Sequence, residues 1–144
     1  MNYLNRSISD LENWEWDGQV PSEDDSTYVE FTYYYLAKKK LKNYTVTDID
    51  FYIVQNTGLR FLIPLAMDIL KSDLFIEADN YPGDLLKNVL RASKKYWQHH
   101  PTQKKTMEDL FVSNEQLFKS LDITKEIRDE ITKAFEEFID PRSA

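Results

Sequence analysis

Ile127, Ile131, Ala134, Phe135, Phe138 and Ile139 stand at i, i+4, i+7, i+8, i+11 and i+12, one continuous apolar stripe on a helix of 3.6 residues per turn. Thr124 occupies the position of a cap ahead of the stripe, and Pro141 ends it. The same period recurs upstream in Leu59, Leu62, Ile63, Ala66, Ile69 and Leu70, in Leu85, Leu86, Val89 and Leu90, and in Leu110, Phe111, Leu117, Phe118 and Leu121. No series of alternating apolar residues recurs that would build a sheet. A helix with one apolar stripe must bury it against another helix, so the expected fold is all-α, a single-domain helical bundle of about seven or eight helices over residues 1–144.

Local signals place the helix ends. Ser7 or Ser9 caps a first helix that stops before Gly18 and Pro21, and Asp25 or Ser26 caps a second running towards Leu41. The β-branched and aromatic run Thr27 to Tyr35 has strand propensity, but Val29, Tyr33, Leu36 and Lys40 share a helical face and the lysines after Ala37 suit a helix C-terminus. Helix is therefore expected there, with strand as the alternative. Thr47 with Asp50 marks the next start, closed by Gly58, and Pro64 demands either a fresh helix or a kink near Ile63. Tyr81-Pro82-Gly83-Asp84 reads as a turn that delivers Asp84 to cap the following helix, while Phe75-Ile76 tucks inward. Ser93 starts a turn carrying Tyr96 and Trp97, Pro101 ends it, and a helical segment from Thr102 to Leu121 is interrupted near Ser113.

At 144 residues and 17.1 kDa the chain is long enough to bury roughly 70% of the surface its unfolded form exposes. It has no cysteine, which excludes disulfides and thiolate chemistry. The residues from Met1 to Trp14 carry no continuous apolar run of a secretory signal, and Phe61 to Met67 is far shorter than the about 20 residues a membrane span needs. The expectation is a soluble, cytoplasmic protein. A formal charge of −7 and a pI near 4.8 argue against direct nucleic-acid binding, which depends on clustered Lys and Arg. The one dense basic run, Lys38, Lys39, Lys40 and Lys42, suits the negative end of a helix.

From Ser7 to Ala37 the chain has no Lys or Arg, yet it holds Asp10, Glu12, Glu15, Asp17, Glu23, Asp24, Asp25 and Glu30. Such a run is either a solvated loop with acidic helix starts or an acidic docking surface that attracts a basic partner. On the second reading Glu12, Trp14, Glu15, Trp16, Asp17, Glu23, Asp24, Asp25 and Glu30 are the candidate contact residues, with the two tryptophans as aromatic anchors.

Catalytic and cofactor signals are weak. His99 and His100 are adjacent, so on a helix their rings diverge by about 100° and cannot grip one metal ion well. Glu126 with Glu130 and Glu136 with Glu137 lie on the polar side of a strongly amphipathic helix, where solvation explains them. With three glycines in the whole chain there is no phosphate cradle. No enzyme activity, cofactor or metal is expected.

Two longer words remain: Gln55-Asn56-Thr57-Gly58-Leu59-Arg60-Phe61-Leu62-Ile63-Pro64-Leu65-Ala66, and Tyr81-Pro82-Gly83-Asp84-Leu85-Leu86 followed by an aromatic-rich segment ending at Trp97. In this order the chain from Leu11 to Trp97 resembles the helical immunity proteins of bacterial contact-dependent growth inhibition (CDI) systems. The resemblance implies a cytoplasmic protein that binds the toxic C-terminal domain of a cognate effector and blocks its active site. It further implies a toxin that is often a nuclease, with a basic substrate groove. A generic acidic helical adaptor outside toxin biology is the alternative reading of the same residues.

Overall fold

The structure is a computed structural model and describes residues 3–143. Among the described residues the chain forms α1 (Ile8–Leu11), α2 (Tyr28–Lys38), α3 (Val46–Val54), α4 (Leu59–Ser72), α5 (Asp84–Leu90), α6 (Lys94–His99), α7 (Pro101–Ser113), α8 (Glu115–Ser120) and α9 (Lys125–Ile139). Single 3-10 turns occur at Tyr3–Asn5, Leu41–Asn43 and Pro141–Ser143, and no strand is formed among the described residues. The all-α class is as expected; among the described residues the helices number one or two more than expected, because the segment expected from Thr102 to Leu121 forms two helices, α7 and α8. The chain divides into two compact units, one ending at Asp48 and the other starting at Ile49.

In the first unit Ser7 caps α1, its Oγ accepting the Asp10 N–H at 3.2 Å. The helix stops after Leu11. Asn13 adopts φ +53, and the Trp14 N–H turns back to the Ser9 carbonyl at 3.1 Å, so Trp14 lies beyond the helix. The cap of α2 is Thr27, not Asp25 or Ser26. Ser26 Oγ accepts the Ser22 N–H and Ser22 Oγ accepts the Asp25 N–H, so those positions close the preceding loop instead. Thr27 Oγ1 takes the Glu30 N–H at 3.1 Å while its hydroxyl donates to the Glu30 carboxylate at 3.0 Å.

The aromatic run is helical, and α1 packs against α2. Helix α2 ends at Lys38, short of the Leu41 expected, because Lys39 is extended and the Leu41 N–H goes to the Arg6 carbonyl. Leu36 and Ala37 are its buried residues, whereas Val29, which shares a helical face with Leu36, is 47% exposed. Thr45 and Asp48 form the reciprocal cap of the next helix: the Asp48 N–H donates to Thr45 Oγ1 and the Thr45 N–H to the Asp48 carboxylate. That start lies two residues before the one expected at Thr47, and Asp50 thereby becomes a helix-interior residue.

In the second unit α4 packs on α5, α5 on α9 and α6 on α7. Most residues of the expected stripes are buried, among them Leu62, Ile63, Ala66 and Leu70 on α4, Leu85, Leu86 and Val89 on α5, and Ile131, Ala134 and Phe138 on α9, whereas Ile139 at the end of the α9 stripe and Leu117 on α8 are exposed. Helix α3 is closed at Asn56, φ +55, and Gly58, φ +63, stands instead at the start of α4. Helix α4 runs through Pro64 as one helix, so Pro64 starts no new element. Pro101 opens α7 at its first turn as well as following α6, and Asn114 separates α7 from α8 at the interruption expected near Ser113. Thr124 caps α9 by accepting the Ile127 N–H at 3.2 Å. Aromatic rings fill much of this core: Phe111 lies 4.1 Å from Phe135 and 5.2 Å from Phe118 between ring centres, and Trp97 meets Phe138 edge-on at 5.1 Å.

Candidate functional site

Every carboxylate of the cation-free span is exposed: Asp10 on α1, Glu12, Glu15, Asp17, Glu23, Asp24 and Asp25 in the loop that follows, and Glu30 in the first turn of α2. Among the described residues none of them is in an ion pair. Asp25 and Glu30 do have local duties, the first accepting from the Ser22 hydroxyl at 3.4 Å and the second completing the α2 cap. The others leave their oxygens to solvent or to a partner.

Trp14 and Trp16 are half-buried, and both lean on α2. Trp14 lies 6.2 Å from Tyr33 and Trp16 6.3 Å from it, and Trp16 meets Tyr34 edge-on at 5.5 Å. The Trp16 indole N–H donates to the Gln19 carbonyl at 3.0 Å. The two rings therefore anchor the acidic loop to its own helix as well as offering partial surface. The most exposed aromatics of the unit are others: Tyr28 at 74% and Tyr35 at 59%, with Phe31 stacked on Tyr35 at 6.1 Å. Tyr28, Phe31 and Tyr35 are spaced i, i+3, i+7, and that spacing was legible; what it lacked was a reason to choose this face over Val29, Tyr33 and Leu36 as the outer one.

Of the residues weighed for metal or acid–base chemistry, His99, His100 and Glu130 have structural partners. His99 Nδ1 bonds the Lys95 carbonyl at 2.8 Å, and His100 Nδ1 bonds the Tyr96 carbonyl at 2.7 Å while its ring stacks on Tyr96 at 3.9 Å. Among the described residues no three His, Asp or Glu side chains converge to hold a metal ion. Glu130 accepts the Tyr81 hydroxyl at 3.1 Å and lies 3.9 Å from Lys87 Nζ, and Glu126, Glu136 and Glu137 are exposed.

Asp84 was expected to cap α5, and it does something else. Its carboxylate, 1% exposed, accepts the amides of Ala78, Asp79, Asn80 and Tyr81 at 2.7, 2.9, 2.7 and 3.4 Å, so it organises the loop behind it rather than the helix ahead. Burial pushes this carboxyl up, but the four amides together outweigh burial and hold it below the usual carboxylate range. Asp50, buried on α3, goes the other way. Burial and the Asp84 and Asp79 charges raise it, against the opposing hydrogen bond from Asn88 Nδ2 at 2.7 Å and the Lys87 charge. Both carboxylates lie inside the second unit.

Among the described residues no helix is long and apolar enough to cross a membrane. The family model of CDI immunity proteins matches residues 10–107. That span covers more than half of the chain and includes the acidic loop, α2 and the Asp84 turn; the chain belongs to the CDI immunity protein family. No curated protein and no solved structure matches it.

Proposed function

We propose that this protein neutralises the toxic C-terminal domain of a cognate CDI effector by binding it, with no catalysis of its own. Membership of the immunity family carries this reading. For the contact surface we infer the acidic loop and the start of α2, namely Glu12, Trp14, Glu15, Trp16, Asp17, Glu23, Asp24, Asp25 and Glu30. The support is a run of exposed carboxylates with no ion-pair partner among the described residues, beside the exposed rings of Tyr28 and Tyr35. Unpaired surface acids keep their field available to a partner, and tyrosines supply contact area at low entropic cost.

Such a surface matches a basic toxin, and a nuclease with a cationic substrate groove is the toxin class that fits it. Occupying that groove would block the active site directly. The test is co-expression with the toxin domain encoded beside this gene, with growth and co-purification as readouts. Restored growth with a stable complex is expected. Continued growth arrest in cells that express both folded proteins overturns the neutralising role, and rescue by a complex that leaves the toxin active site open overturns the blocking mode.

A further inference from the structure

A cleft of about 400 Å³ opens in the second unit between the C-terminal end of α5, α6, the start of α7 and the outer part of α9. That volume is the size of a small-molecule site. Its rim carries Arg91, Lys94, Lys104 and Lys133 against a single carboxylate, Glu137. Among the described residues none of the four cations is in an ion pair, and Asp140, an acid within electrostatic reach of Lys94, is engaged by Arg142 at 2.9 Å. In a chain with 25 acids and 18 cations this concentration of positive charge runs against the overall balance.

The inner wall is apolar. Trp97 and Phe138 meet edge-on there beside Ala134, and Lys104 Nζ lies 5.3 Å from the centre of the Phe138 ring. The Trp97 indole nitrogen itself is buried and has no hydrogen-bond partner among the described residues.

We propose that this cleft binds a small organic anion, a phosphate or carboxylate carried on an apolar body of about the size of an aromatic ring. The cations supply the charge recognition and the Trp97–Phe138 wall receives the apolar part. This site is separate in residues and in charge from the acidic surface assigned to the toxin, so either assignment can fail without the other.

The test uses the full chain labelled with 15N, in which the indole N–H signals of Trp14, Trp16 and Trp97 report separately and Trp97→Phe identifies the third. Titration with phenyl phosphate is expected to shift the Trp97 signal saturably and to leave the other two in place. Inorganic phosphate, which lacks the apolar body, and benzyl alcohol, which lacks the charge, are each expected to bind at least roughly ten-fold more weakly. The double substitution Lys104→Glu with Lys133→Glu should weaken phenyl phosphate by a similar factor while the Trp14 and Trp16 signals stay unchanged. If that variant does not fold, Arg91→Gln with Lys94→Gln, both at exposed positions, makes the same comparison. A Trp97 signal that does not saturate, equal binding of benzyl alcohol, or undiminished binding by a folded charge variant overturns the proposal.

Discussion

Asp84 and Asp50 show how two carboxylates in one helical unit acquire opposite pH behaviour. The Asp84 carboxyl is held low in the folded state, so its stabilising contribution is complete above the unfolded value near 3.9 and is lost as pH falls through the lower folded one. Asp84→Asn keeps the shape but turns an amide N–H₂ towards main-chain donors. It should cost about 2–3 kcal/mol at pH 7, with the deficit shrinking in strong acid as the wild-type group takes up its proton. The Asp50 carboxyl is raised, so its contribution to stability is complete below the unfolded value and is lost as pH rises through the higher folded one. Asp50→Asn retains an oxygen to accept from Asn88 and removes the charge. It is expected to raise Tm by about 2–5 °C at pH 7 and to make no difference near pH 3. Thermal melts of both variants from pH 3 to 7 check the two signs at once; parallel pH profiles would contradict the assignment.

At the scale of elements, Gly83 stands at the start of α5 close against Ile131 of α9. It takes φ +91, and a Cβ placed there would sit 2.7 Å from Ile131 Cδ1. Gly18 has a similar φ of +96 but no atom within 4 Å of the added carbon. Gly83→Ala should therefore cost about 2–4 kcal/mol and Gly18→Ala only the backbone part, about 1–2 kcal/mol, as read by urea unfolding. A larger loss at Gly18 would mean that the α5–α9 fit is not what makes Gly83 necessary. Helix ends were the least legible elements, and the reason is competition between nearby polar groups. Asp25, Ser26, Thr27 and Glu30 all offer oxygens within six residues, and Thr27 becomes the cap because Ser22 draws Asp25 and Ser26 into the loop. Thr45 against Thr47 is the same contest, two residues apart.

Across the whole molecule, charge is distributed unevenly enough to make a kinetic prediction. If the acidic loop meets the toxin, reversing Asp17, Glu23, Asp24 and Asp25 to Lys should slow association by roughly ten-fold at low salt and flatten its dependence on ionic strength. Dissociation should change less. Stopped-flow mixing with the toxin domain across a salt series measures both, and unchanged association rates would remove the loop from the interface.

Much of the architecture could be read from the chain before any coordinates. The stripes of α4, α5 and α9, the Thr124 cap and the break between α7 and α8 all depend on residues within a few turns of one another, and local periodicity reports such relations directly. The acidic run was equally plain, because charge of one sign in a contiguous segment needs no partner to be noticed. What the order of residues could not decide was the outcome of choices made between distant segments. Trp14 and Trp16 rest on Tyr33 and Tyr34, Asn88 on α5 donates to Asp50 on α3, and Arg91, Lys104 and Lys133 converge on one cleft. Each depends on which polar group a folded neighbour leaves unsatisfied and which face it covers, and those quantities exist only once the helices have packed.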